Sequence, residues 1–329
     1  MRVLVTGGAG YVGSVSVEQL LALGHAVTVL DSLATGHRGA VPAAATLVEG
    51  STLDAALVER VLREDGIDAV LHCAARAQVA ESVADPALYY RENVVGGLGL
   101  LDAMRAAKVD RLVFSSSAAT YGVPASTPIT EDAALAPVNP YGETKRALEA
   151  AMAAYGNAYG LRSVALRYFN VCGATAACGE QHEPETHLIP NVLAAIESGR
   201  PMTVFGDDYP TPDGTCIRDY IHVADLADAH LAALEQTAAA EPGHRALNLG
   251  SGRGFSNREV LDAAARVTGR SVPHAIGPRR PGDPPVLVAG SERARAELGW
   301  APRRSTLDEM VGSAWDWRQA HPGGYRDAE

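Results

Sequence analysis

The feature that most constrains the fold of this chain is a group of glycines between an apolar run and a helical pattern near the amino terminus. Val3-Leu4-Val5 is typical of a buried strand, and apolar residues recur with helical spacing from Tyr11 to Leu23. The intervening Gly7-Gly8-Ala9-Gly10 allows a tight turn, because glycine tolerates backbone conformations and close approaches that other residues do not. A strand, a glycine turn and a helix together predict the first unit of a parallel sheet.

The same alternation continues through the first half of the chain. We predict further strands over Ala26 to Leu30, ending at Asp31, and over residues 46–48, 69–73, 111–114 and 163–166. Helical patterns cover residues 54–63 and 86–107, and a closing surface helix is predicted over residues 307–317. The predicted fold class is α/β, a doubly wound parallel sheet (Rossmann) with a smaller mixed α/β substrate-binding domain.

Charge and hydropathy limit the partners of the chain. The 329 residues include 28 Lys and Arg against 39 Asp and Glu, a formal net charge of −11. This excess opposes attraction to nucleic acid or anionic lipid, so we predict neither as a partner. The longest apolar run is far shorter than the roughly 18 residues that span a bilayer, and Met1-Arg2-Val3 leads into a strand pattern, so we expect neither a membrane span nor a signal segment. We therefore expect a cytoplasmic protein.

The cysteines and histidines give no metal-binding pattern. The four cysteines, which show neither a C-x-x-C pair nor the spacing of a disulfide framework, are Cys73, Cys172, Cys178 and Cys216. The histidines that lack metal-ligand spacing are His182, His187, His222 and His230. We expect reduced thiols and no metal.

The glycine turn fits the spacing of a phosphate-binding loop. Gly8, Gly10 and Gly13 match G-x-G-x-x-G, and Gly7, Gly10 and Gly13 match the related G-x-x-G-x-x-G equally well. The strand and helix on either side supply the required context, because backbone N–H groups at the positive end of a helix bind a pyrophosphate. The sequence therefore predicts a dinucleotide cofactor.

An acidic residue at the end of the second strand bears on which dinucleotide is bound. Asp31 lies 18 residues after Gly13, where its carboxylate accepts hydrogen bonds from the adenosine ribose and repels a 2′-phosphate. This favours NAD. His37 and Arg38 follow closely and are able to neutralise a phosphate, so NADP stays open as the alternative.

A tyrosine and a lysine lie one helical turn apart. Pro140 favours a helix start, and Tyr141 and Lys145 then share one face with their Cβ atoms roughly 6 Å apart. A lysine ammonium and an oxidised nicotinamide both favour phenolate, so the tyrosine pKa of about 10 is expected to fall toward that of a general base. The pair stands 24 residues after Ser117, downstream of the dinucleotide loop, which argues against an ordinary exposed pair.

The sequence resembles the extended short-chain dehydrogenases/reductases and, within them, the UDP-glucose 4-epimerase family. The resemblance covers nearly the whole chain. It rests on the runs TGGAGYVGS (6–14), NVVG (93–96), SSSAATYG (115–122), NPYG (139–142), LRYFN (166–170), FGDDYPTPDGT (205–215), RDYIHV (218–223) and PRRPGD (278–283).

The resemblance implies reversible 4-epimerisation of UDP-glucose and UDP-galactose. Tyr141 would take the proton from the sugar 4-hydroxyl, Lys145 would lower the tyrosine pKa and hold the nicotinamide ribose, and Ser117 would hydrogen-bond the same oxygen. Hydride would pass from C4 to tightly bound NAD, and the 4-keto sugar would turn and take it back on the opposite face. The resemblance also implies a NAD-binding domain over residues 1–169, a nucleotide-sugar-binding domain over residues 170–329 with chain crossings between them, and a homodimer through the helices that begin near Pro86 and Tyr141.

The resemblance further implies two sets of binding residues. Those for the cofactor are Gly7, Gly10, Tyr11, Val12, Gly13, Asp31, Ser32, Leu33, Ala34, Thr35, Gly36, Ser51, Thr52, Cys73, Ala74, Ala75, Arg76, Asn93, Ser115, Tyr141, Lys145 and Tyr168. Those for the UDP-sugar are Ser117, Tyr141, Tyr168, Phe169, Asn170, His187, Leu188, Val204, Phe205, Arg218, Arg280 and Asp283. Arg218 and Arg280 would bind the diphosphate, and Asp283 would accept a hydrogen bond from a ribose hydroxyl. Two alternatives stay open: Arg218 and Asp219 form a structural ion pair, and Arg279 and Arg280 are a solvated surface pair.

Several positions depart from the family pattern. Ser51-Thr52 replaces an acidic and apolar pair near the adenine, Val15 stands where His is usual, and Arg76 stands where Lys is frequent. Leu287, of middle size, leaves open whether N-acetylated sugars such as UDP-N-acetylglucosamine are accepted.

Three other functions compete with this interpretation. A nucleotide-sugar dehydratase or decarboxylase needs an acid or base shortly after Ser117, where this chain has Ala118-Ala119. A non-catalytic NAD-sensing protein is opposed by the intact Ser117, Tyr141 and Lys145. A reductase that releases NADH would be established by stoichiometric cofactor turnover.

Overall fold

The computed structural model describes residues 1–280 and 282–325. Its strands are β1 (Arg2–Thr6), β2 (Ala26–Asp31), β3 (Thr46–Glu49), β4 (Ala69–His72), β5 (Arg111–Ser117), β6 (Arg162–Tyr168), β7 (Asn170–Cys172), β8 (Met202–Phe205), β9 (Ile217–His222), β10 (Gly243–Leu249), β11 (Gly254–Ser256), β12 (His274–Gly277) and β13 (Val286–Leu287). Its α-helices are α1 (Tyr11–Ala22), α2 (Ala55–Glu64), α3 (Val79–Ala84), α4 (Pro86–Tyr89), α5 (Gly96–Ala107), α6 (Pro140–Tyr159), α7 (Leu188–Ser198), α8 (Val223–Ala239), α9 (Asn257–Thr268), α10 (Glu292–Leu298) and α11 (Leu307–Ala320).

A parallel sheet of seven strands organises the larger part of the described chain. The strand order is β10-β6-β5-β4-β1-β2-β3, and each adjacent pair is parallel. The order reverses beside β1, so the carboxyl ends of the strands form a crevice where ligands of such sheets bind. The predicted α/β fold class with a doubly wound parallel sheet is confirmed.

Helices cover both faces of the sheet, and successive side chains of a strand point alternately to the two faces. Val3 and Val5 of β1 pack with Leu20 of α1 and Leu226 of α8 on one face. Leu4, between them, faces a second core that it shares with helices α2, α5 and α6 through side chains such as Met104. Apolar residues in consecutive positions of β1 are therefore all buried, which explains the uninterrupted run seen in the sequence.

The long helical pattern predicted over residues 86–107 contains an irregularity. Helix α4 is followed by a π-helical segment over Tyr90–Val95 and then by α5. Asp85 caps the start of α4 by accepting a hydrogen bond of 3.1 Å from the backbone N–H of Leu88. The extra residue per turn of a π segment rotates the side chains that follow it, and Asn93 lies buried within this segment.

The second half of the chain adds smaller elements beside the main sheet. Strand β9 pairs with β7, β11 and β13, and β8 pairs with β12. These strands pack with α7, α9 and α11 around a separate core that contains Ile196, Leu261 and Met310. Strand β10 returns to the main sheet and pairs with β6, although it comes from the second half of the chain. The division of the chain at residue 169 stays a prediction.

The described residues contain no helix with the length and apolar character needed to span a bilayer. The four cysteines are free thiols, and Cys172, Cys178 and Cys216 are buried.

Candidate active site

The glycine loop lies at the carboxyl end of β1. Gly7 adopts a φ of +73°, and a Cβ added to Gly13 would lie 2.1 Å from the carbonyl oxygen of Gly7. Helix α1 begins at Tyr11 with Gly10 as its N-cap, without a side-chain cap and without an acidic residue in its first turn. The first turn of the helix therefore presents backbone N–H groups that no side chain caps, which suits a pyrophosphate.

Asp31, at the end of β2, is held against this loop. Its two carboxylate oxygens accept hydrogen bonds of 2.9 Å from the backbone N–H groups of Ala9 and Leu33. Burial raises the pKa of Asp31, and these two donors oppose that shift. Leu33 has a positive φ of 57°, a strained conformation for a branched residue, so the contact with Asp31 fixes the start of the segment Ser32 to Gly36.

Asn93 joins the loop after β4 to helix α6. Its side-chain oxygen accepts a 2.8 Å hydrogen bond from the N–H of Arg76, and its amide nitrogen donates to the carbonyl of Arg76 and to the hydroxyl of Thr144, both at 3.0 Å. All three hydrogen bonds join the Asn93 side chain to other residues of the chain. Asn93 therefore positions the segment Ala74 to Arg76 in the crevice.

Tyr141 and Lys145 lie on the first turns of α6, as their spacing predicts. Pro140 is the first helical residue, and the side chain of Asn139 caps the helix by accepting a 2.8 Å hydrogen bond from the N–H of Gly142. Tyr141 is 8% exposed and Lys145 is 3% exposed. The Lys145 ammonium donates to the carbonyl oxygen of Ser115 at 2.8 Å and lies 5.8 Å from the centre of the Tyr141 ring.

The pKa values of this pair differ from the expectation. Burial raises the pKa of Tyr141, and the hydrogen bond with Ser117 offsets only part of that rise. Burial also lowers the pKa of Lys145 to about 8, against the opposing effects of Cys73 and Glu149. The chain alone therefore does not lower the tyrosine pKa as predicted, because desolvation by burial is the largest effect on the pKa of each group.

Ser115 connects several of the predicted cofactor residues. Besides its carbonyl contact with Lys145, its hydroxyl lies 2.9 Å from the Nε2 of His230 and 3.2 Å from the sulfur of Cys73. Burial raises the pKa of Tyr168, at the end of β6, and the Ser115 hydroxyl opposes that rise. Cys73, Ser115, Lys145 and Tyr168 thus lie together at the ends of β4, β5 and β6, next to the glycine loop of β1.

A buried ion pair behind the tyrosine and lysine was missed by the sequence analysis. Arg167 of β6 donates to both carboxylate oxygens of Glu149, with a shortest distance of 2.5 Å, and the side chains are 6% and 5% exposed. Ser116 donates to Glu149 at 2.5 Å, and Arg167 donates to the hydroxyl of Tyr121 at 2.9 Å. Glu149 lies four residues after Lys145 on α6, so this network fixes the helix that carries the pair. Its sequence signal was Arg167, which directly follows the apolar run Val164-Ala165-Leu166 within β6.

Besides Ser117 at the end of β5 and Tyr141 on α6, the predicted substrate residues lie at the end of β6 and on elements of the second half of the chain. The Arg280 guanidinium lies 4.2 Å from the centre of the Phe205 ring, and Arg218 forms an ion pair with Asp283. The side chain of Val204 is instead buried in the core of α7 and α9. The alternative of an Arg218-Asp219 ion pair is wrong, since consecutive residues of a strand point to opposite faces.

Asp219 has a structural role of its own. Its carboxylate accepts hydrogen bonds from the backbone N–H groups of Ser251, Gly252 and Ala289, at 2.7, 3.0 and 3.0 Å. These contacts join β9 to the segments that follow β10 and β13. Leu287, on β13, packs beside Phe169 in a small apolar cluster, which places it among the predicted sugar-binding residues.

The segment Glu180 to His187 gathers two histidines and two carboxylates. One ligand atom of each of Glu180, His182, Glu185 and His187 lies within 4.8 Å of all the others. Burial alone would lower the pKa of His187, but Glu180 and Glu185 raise it to about 9. The sequence predicted that these histidines lack metal-ligand spacing, and the structure brings them together because the segment turns back on itself.

Comparisons with known proteins agree with this arrangement. The sequence model described as the NAD dependent epimerase/dehydratase family matches residues 3–250. A UDP-glucose 4-epimerase of Lactobacillus helveticus is 51% identical over 99% of this chain and 100% of its own length. The crystal structure of UDP-glucose 4-epimerase from Brucella ovis in complex with NAD is 50% identical, with a TM-score of 0.93 over 95% of this chain and 97% of that one. A Bifidobacterium longum UDP-glucose 4-epimerase in complex with NAD+ and UDP is 37% identical, with a TM-score of 0.92 over 99% of this chain and 100% of that one.

Proposed function

We propose that this chain, which belongs to the NAD dependent epimerase/dehydratase family, interconverts UDP-glucose and UDP-galactose by inverting carbon 4 of the sugar. The observation that carries the proposal is the position of the buried Tyr141 and Lys145 at the same sheet edge as the glycine loop. A dinucleotide on that loop and a sugar beside the tyrosine would then be neighbours. The names of the relatives and of their bound ligands supply the substrate.

The residues present fit NAD. The uncapped first turn of α1 offers N–H groups to the pyrophosphate, and Asp31 offers carboxylate oxygens at the end of β2. When bound, NAD supplies a reversible hydride acceptor for the sugar carbon. We assign the cofactor site to the first domain, residues 1–169, and the nucleotide-sugar site to residues 170–329.

Tyr141 and its neighbours handle the proton of the reaction. The Tyr141 oxygen takes the proton from the sugar 4-hydroxyl as C4 is oxidised and returns it after the sugar has turned, so the net reaction is an isomerisation. Ser117, which opposes the burial-driven rise in the pKa of Tyr141, would orient the same oxygen. The buried Lys145 ammonium lies 5.8 Å from the centre of the Tyr141 ring, where it would favour the phenolate together with the oxidised nicotinamide when NAD is bound.

The second half of the chain binds the nucleotide. Arg218 and Arg280 supply cations for the diphosphate in a chain whose net charge is −11. Since Arg218 is paired with Asp283, the diphosphate would share or replace that carboxylate, which then serves a ribose hydroxyl. Tyr168, Phe169, Asn170, Leu188 and Phe205 complete the proposed wall.

The lyase alternative is not favoured by the turn after β5. Ala118 and Ala119 form a 3₁₀ turn there, and the N–H of Ala119 donates to the hydroxyl of Ser117 at 3.1 Å. An elimination needs an acid or base at this point beside the sugar, and neither alanine supplies one.

The direct test is to incubate the purified protein with UDP-galactose and no added cofactor. We expect UDP-glucose to accumulate to an equilibrium mixture that is also reached from UDP-glucose, without net formation of NADH. Stoichiometric NADH would indicate a reductase, and a 4-keto-6-deoxy product would indicate a dehydratase. Either result would contradict the proposal.

Replacing Asp31 with Asn is expected to weaken NAD binding by roughly 10- to 100-fold and to improve NADP binding relative to NAD, because one charged acceptor for the ribose is lost. Dissociation constants of the cofactor-free protein for both dinucleotides measure this effect. Asp68→Asn is the matched control, because that carboxylate accepts the N–H of Arg2 at the opposite end of β1. An unchanged ratio of NAD to NADP affinity would exclude a selective role for Asp31.

We further propose that the protein is a cytoplasmic homodimer that acts in galactose metabolism. Exposed apolar side chains lie along the helical segment from α3 to α5, including Val83 at 64%, Val95 at 56% and Leu98 at 36% exposure. Such an apolar surface on helices is suited to a symmetric interface.

A further inference from the structure

The segment Glu180 to His187 has the composition of a metal site. It contains two copies of the pattern Glu-x-His, at Glu180-Gln181-His182 and Glu185-Thr186-His187. An extended chain of eight residues would separate its ends by more than about 20 Å, yet the four ligand atoms lie within 4.8 Å of one another. This convergence depends on the fold of the segment.

The distances suit one small cation at the centre of the four groups. Nδ1 of His182 lies 3.4 Å from Oε1 of Glu180 and 3.5 Å from Oε2 of Glu185, and Nδ1 of His187 lies 2.5 Å from Oε1 of Glu180 and 3.8 Å from Oε1 of Glu185. Nitrogen and oxygen ligands at about 2.0–2.1 Å in a tetrahedron are about 3.3–3.4 Å apart. With Oε2 as the ligand atom of Glu185, the two distances at His182 need little change, and the distance between Glu180 and His187 would lengthen once the shared proton is lost.

A second observation also points to a missing ligand. Nδ1 of His182 is buried and has no hydrogen-bond partner among the described residues, although two carboxylate oxygens face it from nearly equal distances. An imidazolium would be expected to turn toward one of them. A cation between His182, Glu180 and Glu185 would give the nitrogen and both carboxylate oxygens a partner.

The carboxylates are oriented as ligands are. Oε1 of Glu185 accepts the backbone N–H groups of Thr186 and His187, at 2.7 and 2.8 Å, which directs Oε2 toward His182. The side chain of Glu180 is only 6% exposed, and the two histidines are the partners that face its Oε1. Supporting contacts of this kind orient the ligands of metal sites.

We propose that Glu180, His182, Glu185 and His187 bind one divalent transition-metal ion of the zinc class. Imidazole nitrogens with carboxylate oxygens in a four-coordinate arrangement suit Zn²⁺ rather than Mg²⁺ or Ca²⁺, which prefer oxygen ligands alone. Four protein ligands leave no open position, so the role is structural. The inference goes beyond the proposed function, since epimerisation does not require it.

The segment contacts three elements of the proposed cofactor crevice. The rings of His182 and Tyr11 meet edge to face with centres 6.5 Å apart, Gln78 donates to the carbonyl of Pro184 at 3.1 Å, and the Nε2 of His37 lies 3.4 Å from the carbonyl of Gln181. These contacts come from the glycine loop and from the segments after β2 and β4. A bound metal would therefore fix the segment over the edge of the sheet that holds the cofactor.

The test measures zinc binding to the full-length protein after treatment with a chelator. We expect one equivalent of Zn²⁺, measured by competition with a chromophoric chelator, and a rise in the unfolding temperature of several degrees. The variant Glu180→Gln/His182→Asn is expected to lower the zinc affinity by at least about 100-fold. The matched control Glu183→Gln/His274→Asn removes the same groups from exposed positions outside the cluster and keeps the affinity.

Cobalt gives a second readout that needs no variant. Co²⁺ in the wild-type protein is expected to show the visible absorption of a tetrahedral ion, and Zn²⁺ is expected to displace it. No binding above that of exposed side chains, an octahedral cobalt spectrum, or undiminished binding by the cluster variant would overturn the proposal. Because these measurements do not use the sugar substrate, their failure would leave the proposed epimerase activity standing.

Discussion

The Tyr141→Phe variant is expected to lose roughly 10²- to 10⁴-fold in kcat for conversion of UDP-galactose to UDP-glucose, because the group that exchanges a proton with the sugar 4-hydroxyl is removed. The ring itself remains, and so do its edge-to-face contact with Tyr89, with centres 6.5 Å apart, and its place in the helix. We therefore expect the unfolding temperature and the amount of NAD that copurifies with the protein to be unchanged. Turnover and extracted NAD are measured on the same sample.

Tyr155→Phe is the matched control for this experiment. Tyr155 lies on the same helix and donates its hydroxyl to Asp102 at 2.8 Å, away from the crevice. Its loss is expected to leave kcat within about twofold of the wild type. If Tyr141→Phe lost NAD and stability together with activity, Tyr141 would have a structural role, and if it kept full activity, another group would carry the proton.

Replacing Arg167 with Met is expected to destabilise the protein by about 3–5 kcal/mol, because the carboxylate of Glu149 would stay buried without its charged partner. The substitution also removes the hydrogen bond that Arg167 donates to the hydroxyl of Tyr121. It weakens the contact between β6 and α6, because Arg167 on β6 no longer binds Glu149 on α6. The midpoint and slope of urea unfolding measure the change. We expect catalytic activity to fall as well, since α6 carries Tyr141 and Lys145.

An exposed ion pair provides the comparison for Arg167. Arg266 and Asp308 lie 2.7 Å apart with side chains 59% and 55% exposed, so Arg266→Met is expected to cost less than about 1 kcal/mol. The double variant Arg167→Met/Glu149→Gln is expected to recover part of the lost stability, because no uncompensated charge remains. Equal losses for Arg167→Met and Arg266→Met would mean that the buried pair has no special energetic role.

Local patterns in the sequence were sufficient for strands β1 to β6 of the main sheet, the glycine loop and the tyrosine–lysine pair. The apolar run at Val3-Leu4-Val5 became a central strand because both faces of the sheet are covered. Tyr141 and Lys145 share a helix face because four residues make about one turn of an α-helix. The strand end at Asp31 and the helix start at Tyr11 also followed from residues within a few positions of each.

Tertiary structure decided what those patterns left open. Arg218 pairs with Asp283, which is 65 residues away, rather than with its neighbour Asp219, and β10 joins the main sheet beside β6. Tertiary structure also decided the direction of the pKa shift at Tyr141. That pKa is raised because the surrounding elements bury the side chain, and the lysine one turn away does not reverse the shift.

The sequence by itself thus determined most elements of the first half of the chain and the chemistry of the loop and the helix, because backbone geometry and side-chain periodicity act over one or two turns. Only the folded chain decided which charges are buried together, as for Glu149 with Arg167 and for the four groups between Glu180 and His187. The physical reason is that partners distant in the chain meet only through packing, and the cost of burying a charge depends on every group that packs around it.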